Sequence, residues 1–377
     1  MPSLNEIILF GPTAPKFKGG IVHYTYLLSK ELERQNISYN LISFSRAYPK
    51  RFFPGSKTED KSELRFAVQN EVPILDWANP LSWWRTFRYI KNSPATKIIF
   101  QWWTWFWGVP YLFILLSLKL FTKKEIVVVA HNPQDHEGAF YKKILSHFVF
   151  FLADKIVAQT KSNLANFKKT YPQKKIVLGR LPIFDLFYDK QISQGEAQQK
   201  LKVTSPLFLF FGHVREYKGL KILLRALGKY NLENKLKANL LIAGEFWEAK
   251  NEYQELIKEL HLEKNVQIME KYIANEEVGF FFEACDFVAI PYLEATGSGP
   301  AKVALAFKKP ILATAVGDNV DVFSLGKVGE IVEANNVEAM AKGIKNILNA
   351  DKKVLSKNID KVKKELSWTG LVKSILN

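Results

Sequence analysis

Short apolar runs that stop at glycine, histidine or proline alternate along this chain with longer stretches whose apolar residues recur at helical spacing. EIILFG (Glu6 to Gly11) reads as a strand, PTAPKFKGG as a loop, and the following helix shows Ile21, Tyr24, Leu27, Leu28 and Leu32 on one face. SYNLISF is a second strand. Residues 45–63 are polar, with Pro49, Pro54 and Gly55, and read as a mobile excursion. EIVVVA (Glu125 to Ala130), a helix from about Gly138 to Leu152, KIVAQT, a further helix and KIVLG come next. Arg180 to Pro206 breaks the rhythm and reads as a linker. A second series then runs from PLFLFFG through a helix lined by Leu220, Leu223, Leu224 and Leu227 to NLLIAG, NVQIM, DFVAIPY and Pro310 to Ala313. Such alternation predicts an α/β chain of two doubly wound, Rossmann-like domains, with ligands at the carboxyl ends of the strands.

One stretch resists the simple pattern. Between Lys97 and Lys119 there is no charged residue, a length that meets the threshold for a membrane-spanning helix. Gly108-Val109-Pro110 interrupts it, so the reading is a strand from Ile98 to Trp103 and a buried helix from Val109 to Phe121. Trp102, Trp103, Trp105, Phe106 and Trp107 form either an aromatic core or an exposed ledge at the level of lipid headgroups.

Composition narrows the classes. A chain of 377 residues, 47% hydrophobic, is long enough for two cores. Its one cysteine, Cys285, excludes an internal disulfide framework and a cysteine-based zinc site, and its place before an apolar strand predicts a buried, inert thiol in a reducing compartment. MPSLNEIILFG enters a strand without a signal-like segment, an expectation of cytoplasmic residence. The net charge of +16, spread over lysine doublets, fits solvated helix ends or an anionic membrane surface beside the apolar region; no nucleic-acid motif accompanies it. The six histidines are scattered and no Asp-x-Asp element occurs, so no metal is expected.

The candidate chemistry sits in three glycine-containing loops that follow strands and open helices. They are FKGG with Gly19-Gly20, FFGHVREYKG with Gly212, Arg215 and Lys218, and ATGSG with Thr296 to Gly299. Free N–H groups at a helix start, with a guanidinium and an ammonium, suit a diphosphate. Each loop alone also serves as a structural turn.

Together with His131 in VVVAHN, NLLIAGE (Asn239 to Glu245) and IPYLEATGSGPAKVALAFKKPILAT, these loops resemble the GT-B glycosyltransferases, family GT4, over nearly the whole chain. The resemblance implies a first domain at 1–185 for the acceptor, a second at 186–357 for a nucleotide-sugar donor, and a C-terminal helix at about 358–377 that returns to the first. It implies sugar transfer with retention, without cofactor or metal, and catalytic roles for His131, Arg215 and Lys218. Donor contacts are implied at Gly19, Gly20, Gly212, His213, Gly244, Glu245, Thr296, Gly297, Ser298, Gly299 and Asp321. Asn132, His136 and Glu137 are acceptor-side candidates, each equally suited to a loop-stabilising hydrogen bond. The chain departs from the family where two glutamates usually stand, at Ala295 and Val303, and ATGSG is similar to a subgroup carrying Ala-Thr-x-Ser-Gly instead. His213 likewise replaces an arginine. The aromatic and basic features suggest a lipid-linked acceptor and peripheral membrane contact, as in polysaccharide or glycolipid assembly. A non-catalytic GT-B partner subunit is the alternative, with a sugar-nucleotide epimerase behind it.

Overall fold

The computed structural model describes residues 7–48, 59–133, 140–188 and 191–377. These divide into two units. The first comprises residues 1–61, 65–181 and 368–377; the second, residues 62–64 and 182–367.

In the first unit the chain runs β1 (Ile7–Phe10), α1 (Gly20–Arg34), β2 (Tyr39–Phe44), β3 (Glu71–Leu75), α2 (Pro80–Asn92), β4 (Lys97–Trp102), α3 (Gly108–Phe121), β5 (Glu125–Ala130), α4 (Phe140–Leu152), β6 (Lys155–Ala158), α5 (Lys161–Thr170) and β7 (Lys175–Leu178). Among the described residues these strands form one parallel sheet in the order β3-β2-β1-β4-β5-β6-β7. The order reverses between β1 and β4, which pair in register from Ile7–Lys97 to Phe10–Phe100. The sequence pattern passed over β3 and α2. Pro73 lies within β3 and removes a ladder donor, which the edge position tolerates.

The second unit runs α6 (Gln194–Leu201), β8 (Leu207–Phe211), α7 (Leu220–Glu233), β9 (Asn239–Ala243), α8 (Lys250–Glu259), β10 (Val266–Met269), α9 (Asn275–Ala284), β11 (Phe287–Ile290), α10 (Gly299–Ala306), β12 (Ile311–Thr314), α11 (Asp318–Leu325), β13 (Gly329–Val332), α12 (Val337–Leu348) and α13 (Lys352–Glu365). Its parallel sheet has the order β10-β9-β8-β11-β12-β13 and reverses between β8 and β11. Crevices at such reversals, beyond the carboxyl ends of the strands, are where doubly wound folds bind ligands.

Three expectations need correction. The stretch 180–206 is not irregular throughout, because Ser193 and Glu196 form a reciprocal capping box that starts α6. The return to the first unit begins at Trp368, with α14 (Trp368–Leu376), rather than near 358. Helix α13 stays with the second unit because its buried face, Leu355, Ile359 and Val362, packs there; a Cβ on Gly326 would meet Val362 at 3.0 Å. Of the polar excursion at 45–63, residues 49–58 lie outside the described set. Its far end is packed, with Asp60 and Ser62 buried and the Asp60 N–H donating to the Pro15 carbonyl at 2.8 Å.

The aromatic stretch resolves as core. Trp102 and Trp107 are fully buried, while Trp103, Trp105 and Phe106 pack half-buried against the same cluster. Phe44 and Trp107 have ring centroids 3.9 Å apart. Among the described residues no helix is long and apolar enough to cross a membrane.

Candidate functional site

In the second unit the loops after β8, β9 and β11 are locked together by backbone. Gly244 has a φ of 149°, and a Cβ there would lie 2.1 Å from the Gly212 carbonyl oxygen; the Gly212 N–H donates to the Ala243 carbonyl at 2.8 Å. Gly219, at a φ of 67°, ends the 3-10 turn Glu216–Lys218 and opens α7 without a side-chain cap. Its missing Cβ would sit 2.0 Å from the Pro291 carbonyl oxygen, and the Leu293 N–H donates to Tyr217 O at 2.6 Å. Glycine is needed at both places for conformation and for space.

This clasp encloses Lys218. Its side chain is 8% exposed, and among the described residues no hydrogen-bond acceptor or carboxylate pairs with its ammonium. The Nζ lies 5.7 Å from the Tyr292 ring centroid and 3.3 Å from where a Cβ on Gly212 would stand. Burial, reinforced by the Arg215 guanidinium, pulls its pKa down to about 7. Arg215 reaches over Trp247 and Tyr217, at 5.4 and 5.2 Å from their ring centroids. His213 stacks on Trp247 at 4.3 Å and holds Nδ1 3.6 Å from a Glu245 carboxylate oxygen. Thus Arg215, Lys218, His213, Gly212, Gly244 and Glu245 converge on one loop cluster, and Trp247, which the sequence reading passed over, is its aromatic floor.

The ATGSG loop is less open than its glycines imply. The buried Ser298 hydroxyl caps α10, accepting from Ala301 N–H at 3.2 Å, and Pro300 has no N–H to offer. The Ser298 N–H donates to Asp318 Oδ1 at 3.1 Å, and Asp318 N–H donates to Thr296 O at 3.0 Å. Asp318 also pairs with Lys302 at 2.5 Å, both side chains almost fully buried. Ser298 therefore works first as a cap. Val303 is buried in α10, and Ala295 abuts Gly317, whose absent Cβ would meet the Ala295 oxygen at 2.5 Å. Asp321, in the first turn of α11, is buried and accepts a hydrogen bond from Ser324 Oγ through its carbonyl. The Lys302–Asp318 pair escaped the sequence reading because it joins α10 to the first residue of α11, with β12 between them in the chain.

In the first unit His131 directly follows β5, its N–H donating to Trp102 O at 2.8 Å. The ring is buried, edge-on to Tyr24 at 4.4 Å, and its Nε2 has no hydrogen-bond partner among the described residues. Burial drives its pKa down to about 3, against a smaller opposing effect of the Gln159 side chain, so the imidazole is neutral at physiological pH. Gly19 and Gly20 open α1 with no side-chain cap, and among the described residues a Cβ on either would meet nothing within 4 Å. Asn132 donates through Nδ2 to Trp103 O at 3.2 Å, the loop-stabilising role. His136 and Glu137 lie outside the described residues. Cys285 is buried, its thiol pushed up to about 12 mainly by desolvation. Among the described residues no group of three or more histidine, cysteine, aspartate or glutamate side chains is placed to hold a metal ion.

Residues 192–364 match the family glycosyl transferases group 1. An uncharacterized glycosyltransferase of Methanocaldococcus jannaschii is 29% identical over 171 residues, which is 41% of this chain and 41% of that relative, so the match spans less than half of the relative's length. Among solved structures, sucrose-phosphate synthase of Thermosynechococcus elongatus aligns with a TM-score of 0.73 and 16% identity, covering 98% of this chain and 96% of that one. The Anabaena protein HepE, in complex with UDP, aligns with a TM-score of 0.71 and 14% identity, covering 98% of each chain. The fold shared with these structures is GT-B, and each unit here is one of its two Rossmann-like domains.

Proposed function

We propose that this GT-B chain, whose residues 192–364 match glycosyl transferases group 1, moves a sugar from a nucleoside-diphosphate donor to an acceptor with retention. The observation that carries the reading is Lys218, a largely buried lysine with no carboxylate partner among the described residues. Burying an unpaired cation is costly, and a bound diphosphate supplies the missing charge. Arg215 adds a guanidinium from the same turn, and α7 presents its uncapped amino end beside them. As the bond from the sugar to its phosphate breaks, negative charge grows on the departing diphosphate, and these fixed cations stabilise it, so no metal is called upon. His131, held neutral, offers Nε2 as a hydrogen-bond partner to a sugar hydroxyl rather than as a cation. The open Gly19-Gly20 turn gives a ligand close access to backbone. The acceptor we place on a lipid carrier at the cytoplasmic face of a membrane.

The fold neighbour HepE binds UDP, which makes UDP-sugars the first donors to try. The test is nucleotide release and sugar transfer across UDP-, GDP- and dTDP-sugars, with nucleoside diphosphate binding followed by calorimetry. Lys218→Ala is expected to weaken that binding by about ten- to a hundredfold, the worth of a hydrogen bond to a charged group. Unchanged binding and turnover in Lys218→Ala would remove this site from consideration. A second reading, a non-catalytic partner subunit, is favoured by the absence of carboxylates at Ala295 and Val303. Folded protein that neither binds nor turns over any donor of the panel would establish it instead.

A further inference from the structure

The aromatic run at 102–107 is core, yet the helices flanking it leave a broad apolar surface uncovered. Helix α2 contacts α3 through Trp83 and Phe113, whose ring centroids are 5.9 Å apart, and through Phe87 and Phe121, also 5.9 Å apart; α3 in turn packs on α4. The three make one layer on the sheet of the first unit. On α3 the buried face is Tyr111, Ile114, Leu115 and Leu118, but Val109, Phe113, Leu116 and Leu120 recur on the outer face and are exposed. On α4 the exposed stripe is Phe140, Ile144, Phe148 and Phe151, with Phe140 79% exposed. Leu81 and Trp84 of α2 add to it. Soluble surfaces scatter such residues singly; a contiguous patch of this kind marks something that covers it.

Charge says what covers it. The charged residues of these three helices are Arg85, Arg88, Lys91, Lys119, Lys142 and Lys143, and none is acidic. Arg85 and Arg88 open onto a cavity of about 570 Å³ shared with Tyr89 and Asn92. A protein partner of ordinary surface would find no acidic residue on these helices with which to pair its own cations. An anionic bilayer suits both components, since acyl chains receive the apolar stripes and headgroups meet the arginines and lysines. Helix α3 has 14 residues, about 21 Å of helix, which is too short to span but sufficient to lie in the interface.

We propose that the outer face of α2, α3 and α4 is a docking surface for anionic phospholipid bilayers, on which the first unit lies without crossing. The inference concerns the first unit alone, and its readout is binding without turnover, so it stands or falls separately from the donor site. The test is co-sedimentation with phosphatidylglycerol–phosphatidylcholine vesicles and with phosphatidylcholine vesicles, for the full chain and for Leu116→Glu/Phe148→Glu. A second variant, Arg88→Glu/Lys143→Glu, leaves the apolar stripes intact. Circular dichroism verifies that both fold, as their exposed positions lead one to expect. The wild type is expected to prefer the anionic vesicles, and each variant to bind them at least about tenfold more weakly. Absence of wild-type binding to phosphatidylglycerol vesicles at low salt overturns the proposal. So does wild-type affinity in both variants. A vesicle-indifferent dimer that Leu116→Glu/Phe148→Glu converts to monomer would assign the face to a second copy and likewise overturn it.

Discussion

Lys218 is the residue whose chemistry is most out of balance. A lysine keeps its proton up to about pH 10.4 when free in the unfolded chain, whereas here it releases it near 7. Between those values the unfolded state binds the extra proton, so folding stability falls as pH drops from about 10 to about 7 and levels off below. Lys218→Met removes that cost, and its melting temperature at pH 7 is expected to rise by the equivalent of about 1–3 kcal/mol while diphosphate binding weakens by about ten- to a hundredfold. A drop in melting temperature would show that the ammonium is satisfied after all. The ligand sees the opposite slope. Only the protonated form attracts a diphosphate, and the bound anion raises the pKa again, so the nucleoside diphosphate Kd should climb by up to about tenfold per pH unit above about 7. Calorimetry from pH 6 to 9 on wild type, flat in Lys218→Met, is the measurement. The sequence made Lys218 visible as a cation before a helix, but not its isolation. That arises from the Gly219–Pro291 contact between loops far apart in the chain.

At the scale of elements, α10 shows why the donor loop is both a good signal and an incomplete one. Its apolar run, its Pro300 and its Ser298 cap were all legible as a helix start. Illegible was the use of its polar groups on one another, through the Asp318 carboxylate that takes both Lys302 and the Ser298 N–H. Breaking one side of a buried ion pair leaves a charge without a partner, so Lys302→Met is expected to destabilise the second unit by about 3–5 kcal/mol in urea titration. Lys302→Met/Asp318→Asn should recover part of that loss, which a double-mutant cycle reads directly. Strict additivity would mean that the pair is an incidental contact. The same reasoning explains α6 and α13. A Ser193–Glu196 capping box is a local signal that was present and passed over, whereas the unit on which an amphipathic, lysine-rich helix such as α13 lays its apolar face is a tertiary fact that periodicity does not carry.

For the whole molecule, the end of the chain reaches back to a residue near its middle. Helix α14 packs on α1, with Arg34 donating to Thr369 Oγ1 at 2.8 Å and the buried Lys155 ammonium donating to the Ile375 carbonyl at 3.1 Å. Trp368, at its start, lies 5.1 Å from Tyr24, and Tyr24 in turn stands edge-on to His131. Nothing in the spacing of these three residues along the sequence announces that their rings meet edge to face. If His131 acts in the first unit and Lys218 holds the diphosphate in the second, support for the first should be separable from support for the second. Trp368→Ala is therefore expected to lower kcat by about tenfold through a displaced imidazole, while the nucleoside diphosphate Kd stays within about twofold of wild type. Trp368→Phe, which keeps an aromatic edge for Tyr24, should restore most of the rate. Equal losses in kcat and in diphosphate affinity would instead mean that α14 sustains both units as one folding entity. Calorimetry would then show a single shifted transition in Trp368→Ala, where independent units predict that the second keeps its own melting temperature.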